Sequence, residues 1–269
     1  MISKIGHKLR WFLYRVLAVI KSTTSVKIDN ITEFTVNNDS THNVMRAKTF
    51  FTKEPECVKW LSNFEKELQK DDFVFFDIGA NIGIYSLFVA KKFPKAKIVS
   101  FEPECLNFSA LCKHLRLNTL KNILAYPFGV SNVSTVSELN VSVFETGAGA
   151  ASLESDYKFT KQNEKFVQGV YTTSLDDFVL TKKDYFPSFI KIDTDGNELS
   201  ILDGAKSILG DPRLKSILIE FEYKSEQEEK NFIKRFHDYG LNLIGKSDWC
   251  ETAFYDKSIK IQNFIFSRV

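Results

Sequence analysis

Short, almost entirely apolar runs recur along the chain, and segments with helical spacing of apolar residues follow most of them. The run Phe73–Phe76 leads into Asp77, and Ala96–Phe101 and Phe189–Ile192 have the same character. Runs that are apolar at successive positions are typical of buried parallel strands, because helices cover both faces of such a sheet. The remaining strands predicted on this basis are Ile123–Tyr126, Ser216–Phe221, Leu241–Ile244 and Ile261–Phe266.

Helical spacing fills the stretches between these strands. Before the first strand, Val58, Leu61, Phe64 and Leu68 recur at intervals of three and four residues, which predicts a helix over Glu56–Gln69. The other predicted helices are Ile84–Phe93, Glu104–Leu117, Glu198–Leu209 and Glu226–Tyr239. Strands and helices that alternate with short connections predict an α/β fold built on a doubly wound, mostly parallel sheet.

A long segment of different character, Ser131–Asp176, separates the two halves of this pattern. It contains β-like pieces at Leu139–Phe144 and Phe166–Tyr171, and between them lies Glu145–Lys165, which is rich in small and charged residues. A loop of this length inside a compact domain is usually functional or mobile. We therefore expect a lid or insertion at about residues 131–176 that covers a substrate. Its candidate hydroxyl-binding side chains are Ser152 and Tyr157.

The N-terminal residues 1–28 contain no acid and six basic side chains. Their apolar run over Trp11–Ile20 is interrupted by Arg15 and is shorter than the ~20 residues that span a bilayer. No convincing cleavage site for a secretory signal follows. Two interpretations stay open: residues 1–21 form a basic amphipathic helix on an anionic membrane surface, or the helix packs on the domain with its charges solvated.

Composition narrows the class of protein. Among 269 residues, 43% are hydrophobic and 26% are charged, which is typical of a globular domain. We predict a domain at residues 56–269, preceded by an extension at residues 1–55. The extension is irregular from 29 to 55, with short β-like pieces at Ile31–Val36. A net charge of +2 excludes a strongly basic field for nucleic acid. Four cysteines without a CxxC pair fit a reducing compartment, so we expect a cytoplasmic protein, with peripheral contact at the inner membrane face as an option.

The most informative motif is the turn after the first sheet strand, where Asp77, Gly79, Asn81 and Gly83 alternate with small or apolar residues. In dinucleotide-binding enzymes a glycine-rich turn at this place grips a pyrophosphate. An asparagine replaces the middle glycine here, and the preceding carboxylate would repel phosphate. The pattern favours a cofactor with an amino-acid moiety, whose ammonium group suits Asp77.

Glu102 follows the next strand, 25 residues after Asp77, and Pro103 then ends that strand. A carboxylate at this place accepts hydrogen bonds from the two ribose hydroxyls of an adenosine. The two acids and the glycine turn together predict a nucleoside-cofactor site. Ser131 and Asn132, after the third strand, could contact the adenine base, or they form an ordinary turn.

These residues resemble a known family. Phe76–Ser86, Phe101–Pro103, Ile190–Glu198 and Gly204-Ala205 are similar, in this order, to motifs of the FkbM methyltransferases. The resemblance covers roughly residues 70–267. It implies a class I, Rossmann-like fold with seven strands, the last antiparallel.

The resemblance also implies an activity. S-adenosylmethionine would be the cofactor, and a hydroxyl, often on a sugar of a glycan or natural product, would be methylated. Carried over by position, the cofactor would be lined by Asp77, Gly79, Asn81, Gly83 and Glu102. The family commonly has Val-Glu-Gly after the acid of the fourth strand, whereas this chain has Thr194-Asp195-Gly196. Asp195 keeps the charge of the family's glutamate but has a shorter reach.

The acids near the fourth strand are the catalytic candidates. Asp193 ends that strand, beside the predicted switch point of the sheet, so it should face the acceptor as a base or an orienting group. Asp195 and Glu198 are further candidates, although acids at a helix start also interact favourably with the helix dipole. Together with Asp193, Glu220 and Glu222 could hold Mg²⁺. Solvated strand ends account for them more simply, and no residue is assigned as a metal ligand.

Three function classes remain from the sequence. The first is an S-adenosylmethionine-dependent O-methyltransferase that acts on a sugar, glycan or glycoconjugate. The second is a nucleotide-linked oxidoreductase on a Rossmann sheet, which the asparagine in the glycine turn disfavours. The third is a non-catalytic membrane-docked module, which the presence of Asp77, Glu102 and Asp193 disfavours.

Overall fold

The computed structural model describes residues 2–64, 68, 72–149, 151–153, 166–248 and 259–268, with residues 2–7 described by their backbone alone. In chain order the strands are β1 (Thr23–Lys27), β2 (Glu33–Asn37), β3 (Val74–Ile78), β4 (Lys97–Phe101), β5 (Ile123–Tyr126), β6 (Phe128–Val130), β7 (Thr135–Val141), β8 (Ala151–Ser152), β9 (Phe166–Thr173), β10 (Phe189–Ile192), β11 (Ser216–Tyr223), β12 (Asn242–Lys246) and β13 (Lys260–Ser267). The helices are α1 (Ile2–Ile20), α2 (Thr41–Lys53), α3 (Pro55–Ser62), α4 (Ile84–Lys92), α5 (Cys105–Leu117), α6 (Leu175–Thr181), α7 (Glu198–Asp203), α8 (Lys206–Gly210) and α9 (Glu226–His237).

The main sheet has seven strands in the order β12-β13-β11-β10-β3-β4-β5 within the described residues. The pairs from β11 to β5 are parallel, and β13 runs antiparallel to both of its neighbours. The chain leaves β3 toward β4 on one side, and β10 returns on the other. The predicted doubly wound, seven-stranded fold is confirmed, and the switch point lies between β3 and β10.

Two apolar layers cover the faces of this sheet. On one face α2, α3, α4 and the β1–β2 hairpin pack against alternate strand residues such as Phe75, Phe189 and Leu218. On the other face α6 to α9 pack against Phe76 and Ile190. Burial on both sides explains why these strands are continuous apolar runs in the sequence.

The prediction that residues 29–55 are mainly irregular is wrong, although the β-like piece predicted at Ile31–Val36 overlaps β2. Part of this segment forms β2, which pairs with β1 in a hairpin, and part forms α2, where the side chain of Ser40 accepts a hydrogen bond from Asn43 N. Phe34 and Phe50 from this segment are buried in the same core as Phe88 of α4. Only a few buried apolar residues mark α2 in the sequence, which is why its helical pattern is weak.

The predicted helix over Glu198–Leu209 is instead divided into α7 and α8 around Gly204. A β-carbon at Gly204 would lie 2.3 Å from the backbone oxygen of Ser131, so the chain passes close to the β6 end at this point. The carboxylate of Asp176 accepts hydrogen bonds from the backbone N–H groups of Ser207 and Ile208. This cap starts a separate helix.

The segment between the two halves forms a second sheet, in the order β6-β9-β7-β8. The β-like piece predicted at Phe166–Tyr171 lies within β9, whereas the piece predicted at Leu139–Phe144 overlaps only the end of β7. Residues 154–165 of the predicted lid, including Tyr157, lie outside the described residues. No helix in the described part of the chain has the length and apolar character needed to cross a membrane.

Candidate functional site

Two cavities open at the carboxyl ends of the central strands, where the fold class places its ligands. The first, of about 560 Å³, is bordered by the β3, β4 and β10 ends and by the second sheet. Its lining includes Gly79, Asn81, Phe101, Glu102, Asn107, Phe128, Gly129, Val130, Leu139, Ala148, Gly149, Leu153, Asp193, Asp195 and Asn197. We call it the cofactor cavity.

The glycine turn has the backbone shape that its sequence predicts. Gly79 and Gly83 have positive φ angles of 74° and 82°, and Asn81 has φ 51°. A β-carbon at Gly79 would lie 1.9 Å from the backbone oxygen of Asp193. The turn is therefore held against the end of β10, where only glycine fits.

The N–H groups of this turn are already hydrogen bonded within the protein. Those of Gly79 and Ala80 donate to Phe101 O, each at 3.0 Å. Asn81 N donates to Glu102, and the next two N–H groups donate to Asn81 Oδ1 and Ala80 O. Since a pyrophosphate would need these donors, the turn is unsuited to a dinucleotide.

Asp77 does not point into the cofactor cavity as the sequence led us to expect. Its side chain is fully buried beneath the turn and accepts a hydrogen bond from Ser86 Oγ through Oδ2, while Oδ1 has no hydrogen-bond partner among the described residues. Burial raises the pKa of Asp77, although the ammonium group of Lys191 opposes this. Asp77 thus supports the turn from below. A contact to the cofactor ammonium stays a prediction.

Glu102 lies where the sequence predicts it, at the β4 end of the cofactor cavity. Its two carboxylate oxygens accept hydrogen bonds from the backbone N–H groups of Asn81 (2.7 Å) and Glu104 (2.9 Å). Burial raises the pKa of Glu102 to about 8, although these N–H groups favour the ionised form. The carboxyl group is positioned to receive ribose hydroxyls when it is ionised.

Cofactor binding should therefore depend on pH through Glu102. Hydroxyl donors prefer the carboxylate, so affinity for S-adenosylhomocysteine should rise by up to about tenfold per pH unit below pH 8 and level off above it. The Glu102→Gln variant should bind weakly and with little change over this range, whereas the exposed Glu138→Gln control should follow the wild type. Calorimetric titration at several pH values measures this. A wild-type affinity that is flat between pH 6 and 8 would contradict it.

Part of the predicted lid covers the cofactor cavity as a short segment, Glu145–Gly149, which we call the strap. Its backbone accepts hydrogen bonds from side chains of Arg46 (2.7 Å) and Asn81 (2.8 Å), and Ser40 Oγ also donates to it. Asn107 both accepts from and donates to the strap. The amide of Asn81, expected at the cofactor, therefore holds this cover in place. Ser152, beyond the strap, is buried and lines neither cavity.

The second cavity, of about 790 Å³, lies on the other side of Gly79 and the strap. It is lined by Arg46, Lys53, Glu54, Gly79, Ala80, Asn81, Ile84, Tyr85, Gly149, Lys191, Asp193, Asp195 and Glu220. Seven of these side chains are acids or bases, and apolar side chains are few. We call it the acceptor cavity.

The two cavities share five lining residues, namely Gly79, Asn81, Gly149, Asp193 and Asp195. Asp193 is therefore at the boundary between the cavities, as its place at the end of β10 predicts. Asp195 lies there too, with an unusual φ of 53°.

Asp193 is paired with a buried cation that sequence reasoning missed. Lys191 is 1% exposed, and its Nζ donates to Asp193 Oδ2 at 2.8 Å. Burial favours neutral forms, but the pairing keeps both groups charged: it lowers the pKa of Asp193 and raises that of Lys191. Lys191 Nζ also lies 4.6 Å from the ring centre of Tyr85. A lysine inside an apolar strand run was the signal that could have revealed it.

Glu198 is not brought to either cavity. Its Oε1 accepts hydrogen bonds from Thr194 N and Oγ1 and from Gly196 N. Burial raises the pKa of Glu198 to about 7, although these donors favour the carboxylate. The side chain closes the turn that carries Asp195, and its catalytic role stays a prediction.

Ser131 and Asn132 also lie outside the cofactor-cavity lining. They follow β6 and pack closely over Gly204. Asn197, which the sequence did not single out, lines the cavity and donates to Val130 O at 2.6 Å. The adenine contact stays a prediction, and Phe128–Val130 lie nearer to where it would form.

The acceptor cavity also contains α2 and α3 residues that the sequence did not identify. Lys53 Nζ pairs with Glu54 Oε1 at 2.8 Å, and Tyr85 Oη donates to Glu54 Oε2. Within the described residues, no group of three or more histidine, cysteine or acidic side chains is arranged to hold a metal ion.

The cofactor cavity fits the cofactor that the resemblance implies. Glu102 offers a carboxyl group for a ribose, and Phe128, Val130 and Leu139 offer an apolar wall for a base. The polar groups at the Asp193 end suit an amino-acid moiety, and the turn has no spare N–H groups for phosphate.

Part of the chain is similar in sequence to two proteins that are named methyltransferases. Methyltransferase sdnD of Sordaria araneosa is 29% identical over 154 residues, which cover 48% of this chain and 58% of that protein. Methyltransferase 1 of Beauveria bassiana is 24% identical over 150 residues, covering 50% of this chain and 59% of its own. The matches span less than two thirds of either relative's length.

A solved structure of methyltransferase FkbM from Methylobacillus flagellatus KT is 16% identical, with a TM-score of 0.47, covering 97% of this chain and 60% of that one. The stronger finding concerns the sequence family. Residues 77–243 match the family described as "Methyltransferase FkbM domain", and this range is more than half of the chain. The chain therefore belongs to the FkbM methyltransferase family, as the motifs of its glycine turn and strand ends indicate.

Proposed function

We propose that the chain is an S-adenosylmethionine-dependent methyltransferase that methylates a hydroxyl group of a sugar, glycan or glycoconjugate. The observation that carries the proposal is the junction of two cavities at Gly79, Asn81, Gly149, Asp193 and Asp195. One cavity suits the cofactor, and the other leaves room for an acceptor beside its reactive end.

The cofactor, when bound, supplies an activated methyl group on a sulfonium. The residues of this chain align the acceptor oxygen with that methyl group and exclude water. Alignment of this kind can contribute roughly 7–11 kcal/mol to lowering the barrier. The strap covers the junction, and the side chains of Asn81 and Asn107 hold it there.

The chemistry of the acceptor cavity supports a polar acceptor. Charged side chains of both signs, including Arg46, Glu54 and Asp195, line it, whereas Ile84 and Ala80 are its main apolar residues. Hydroxyl groups can donate to the acids and accept from the bases, so a polyhydroxylated ring fits better than an apolar ring. Family membership and the satisfied N–H groups of the glycine turn disfavour the oxidoreductase alternative.

Labelled S-adenosylmethionine and a glycan or glycolipid extract from the native cell test the proposal. We expect label in an alkali-stable methyl ether of a sugar, identified by mass spectrometry after hydrolysis. The Glu102→Ala variant should not transfer label under the same conditions. Label in protein or nucleic acid but not in sugar would overturn the acceptor class. Binding of NAD without binding of S-adenosylhomocysteine would overturn the reaction.

We further propose that α1 binds an anionic membrane surface. Large apolar side chains of α1 are exposed along one stripe, namely Leu9, Phe12, Leu13, Val19 and Ile20. At 3.6 residues per turn these positions lie within an arc of about 120°, as in interfacial helices.

The surroundings of this stripe match a lipid surface. Trp11 lies on the opposite side of α1, where its ring contacts His42 of α2 at 5.0 Å. Lys8 and Arg15 flank the stripe on one side and Arg10 on the other, by the same helical geometry. Basic side chains beside a stripe of this kind attract anionic lipid, with about 1 kcal/mol for each charge near the surface.

Sedimentation with vesicles tests the membrane proposal. The full chain should be retained by phosphatidylserine-containing vesicles more than by neutral phosphatidylcholine vesicles. Replacing Phe12 and Leu13 by serine should abolish retention, whereas the matched change of exposed Val133 and Val136 on the second sheet should not. Equal retention by both vesicle types would contradict it. A dimer that the Phe12 and Leu13 changes dissociate would assign the stripe to a second copy instead. If α1 binds a membrane, the protein is a peripheral protein of the cytoplasmic face. Free thiols at Cys57, Cys105 and Cys112 are consistent with that reducing compartment.

A further inference from the structure

We propose that Glu220, at the floor of the acceptor cavity, takes the proton from the acceptor hydroxyl during methyl transfer. The inference rests on the proposed function and assigns its general base. The sequence pointed instead to Asp193. The structure places both acids at the same cavity but gives them different hydrogen-bond partners.

The sheet register brings the two acids side by side. Ile192 of β10 pairs with Ile219 of β11, so the next positions are Asp193 and Glu220. Both side chains project from the face that carries Lys191 and Leu218, because alternate residues of a strand point to the same side. Both residues line the acceptor cavity.

Their hydrogen bonding differs. Asp193 receives the ammonium group of Lys191 at 2.8 Å, which stabilises its ionised form and makes it a weak base. The backbone of Glu220 pairs with Asn263 of β13, whereas its carboxyl group has no hydrogen-bond partner among the described residues and borders the cavity. A group without a fixed protein partner can form a hydrogen bond with a substrate hydroxyl without first breaking another.

The charges that act most strongly on Glu220 are those of Asp193 and Asp195 at the β10 end and of Glu54 just before α3, and Lys53 of α2 opposes them. Arg46 and Lys191 line the same cavity. Burial, followed by these three acids, raises the pKa of Glu220 well above its usual value. A base is most effective when its pKa lies near the working pH, and this shift is in that direction.

Methyl transfer and proton transfer occur together in the proposed step. The acceptor oxygen forms a bond to the methyl carbon as the bond from that carbon to sulfur breaks. The hydroxyl proton passes to the carboxylate of Glu220, and S-adenosylhomocysteine and the methyl ether leave. Solvent then takes the proton from Glu220. Asp193 stays ionised and paired with Lys191, and the pair orients the acceptor.

The pH dependence follows from this role. Glu220 must lose its proton to act, so the rate should rise with pH and reach a plateau above the pKa of Glu220. Glu220→Gln should lower kcat by about 10²–10⁴-fold and remove the rising limb. Asp193→Asn should impair the acceptor KM and retain a rising limb.

The test compares Glu220→Gln, Glu220→Asp and Glu222→Gln in the labelled-methyl assay, with the glycolipid extract as acceptor. Glu222 lies two residues along the same strand, outside both cavity linings, so its variant should match the wild type. S-adenosylhomocysteine affinity should stay within about twofold in all three, and Glu220→Asp should recover part of the rate. Infrared difference spectra against pH should contain a carboxyl band that Glu220→Gln removes.

The outcomes separate the two proposals. No transfer of label to sugar by the wild type would overturn the function and this inference with it. Transfer by the wild type with an unchanged rate and pH profile in Glu220→Gln would overturn the base assignment alone. A reduced rate that retains the rising limb would also overturn it, since a structural role would act in that way.

Discussion

Replacing Lys191 by methionine should destabilise the fold by about 3–5 kcal/mol, because it leaves buried acids without their counter-charge. Lys191 pairs with Asp193, and the sheet register places it directly beside Asp77. Methionine keeps most of the side-chain volume, so the loss reports charge rather than a cavity.

Chemical denaturation at two pH values measures this effect. The deficit should shrink as the pH falls, because the uncompensated acids of the variant acquire raised pKa values and become protonated. The exposed Lys206→Met control should change stability by less than about 0.5 kcal/mol. A Lys191→Met protein as stable as the control at neutral pH would show that the buried pair is not needed to hold these acids together.

Replacing Gly79 by alanine should weaken binding of S-adenosylhomocysteine and lower the rate of methyl transfer by about 10²-fold, since a displacement near 1 Å in a site can cost this much in rate. The new β-carbon would lie 1.9 Å from the backbone oxygen of Asp193, and the positive φ of 74° adds strain. The turn must move, and it lines both cavities.

Calorimetric titration measures the affinity, and thermal unfolding shows how much of the change is structural. Gly169→Ala is the matched control, because a β-carbon there meets no atom within 4 Å and φ is not in the left-handed region. Wild-type affinity in Gly79→Ala would mean that the turn tolerates the shift and that the cofactor lies elsewhere.

The central strands could be predicted from the sequence because the sheet is buried on both faces. Ile123–Tyr126 and Phe189–Ile192 have the predicted bounds. Glu102 could be placed for the same reason: a polar residue that ends an apolar strand lies at the sheet edge. The family resemblance, carried by short motifs at these strand ends, is confirmed by the match to residues 77–243.

The side on which a residue points was harder to predict. Phe76 and Ile78 face the α6–α9 layer, which leaves Phe75 and Asp77 on the opposite face, where Lys191 also lies. The local sequence pattern of an acid at a strand end is the same whether the side chain borders a cavity or lies beneath a turn. The packing of neighbouring elements decides this, and one strand does not encode it.

The acceptor cavity was beyond prediction for a related reason. Arg46, Lys53 and Glu54 come from a part of the chain that is weakly patterned and distant in sequence from the cofactor motifs. Their contribution depends on α2 packing against the main domain and on the contact between Arg46 and the strap. Such long-range contacts have no local signal.

The two cavities are lined by residues from different parts of the chain, and α2 contributes to the acceptor cavity. The family match begins at Asp77, and the cofactor cavity is built largely from residues after it, whereas three charged residues of the acceptor cavity precede it. Substitutions at the cavity-lining residues of α2 would therefore change the proposed acceptor and leave the proposed methyl donor unchanged. Exchange of the whole N-terminal segment would also disturb the core that Phe34 and Phe50 share with Phe88.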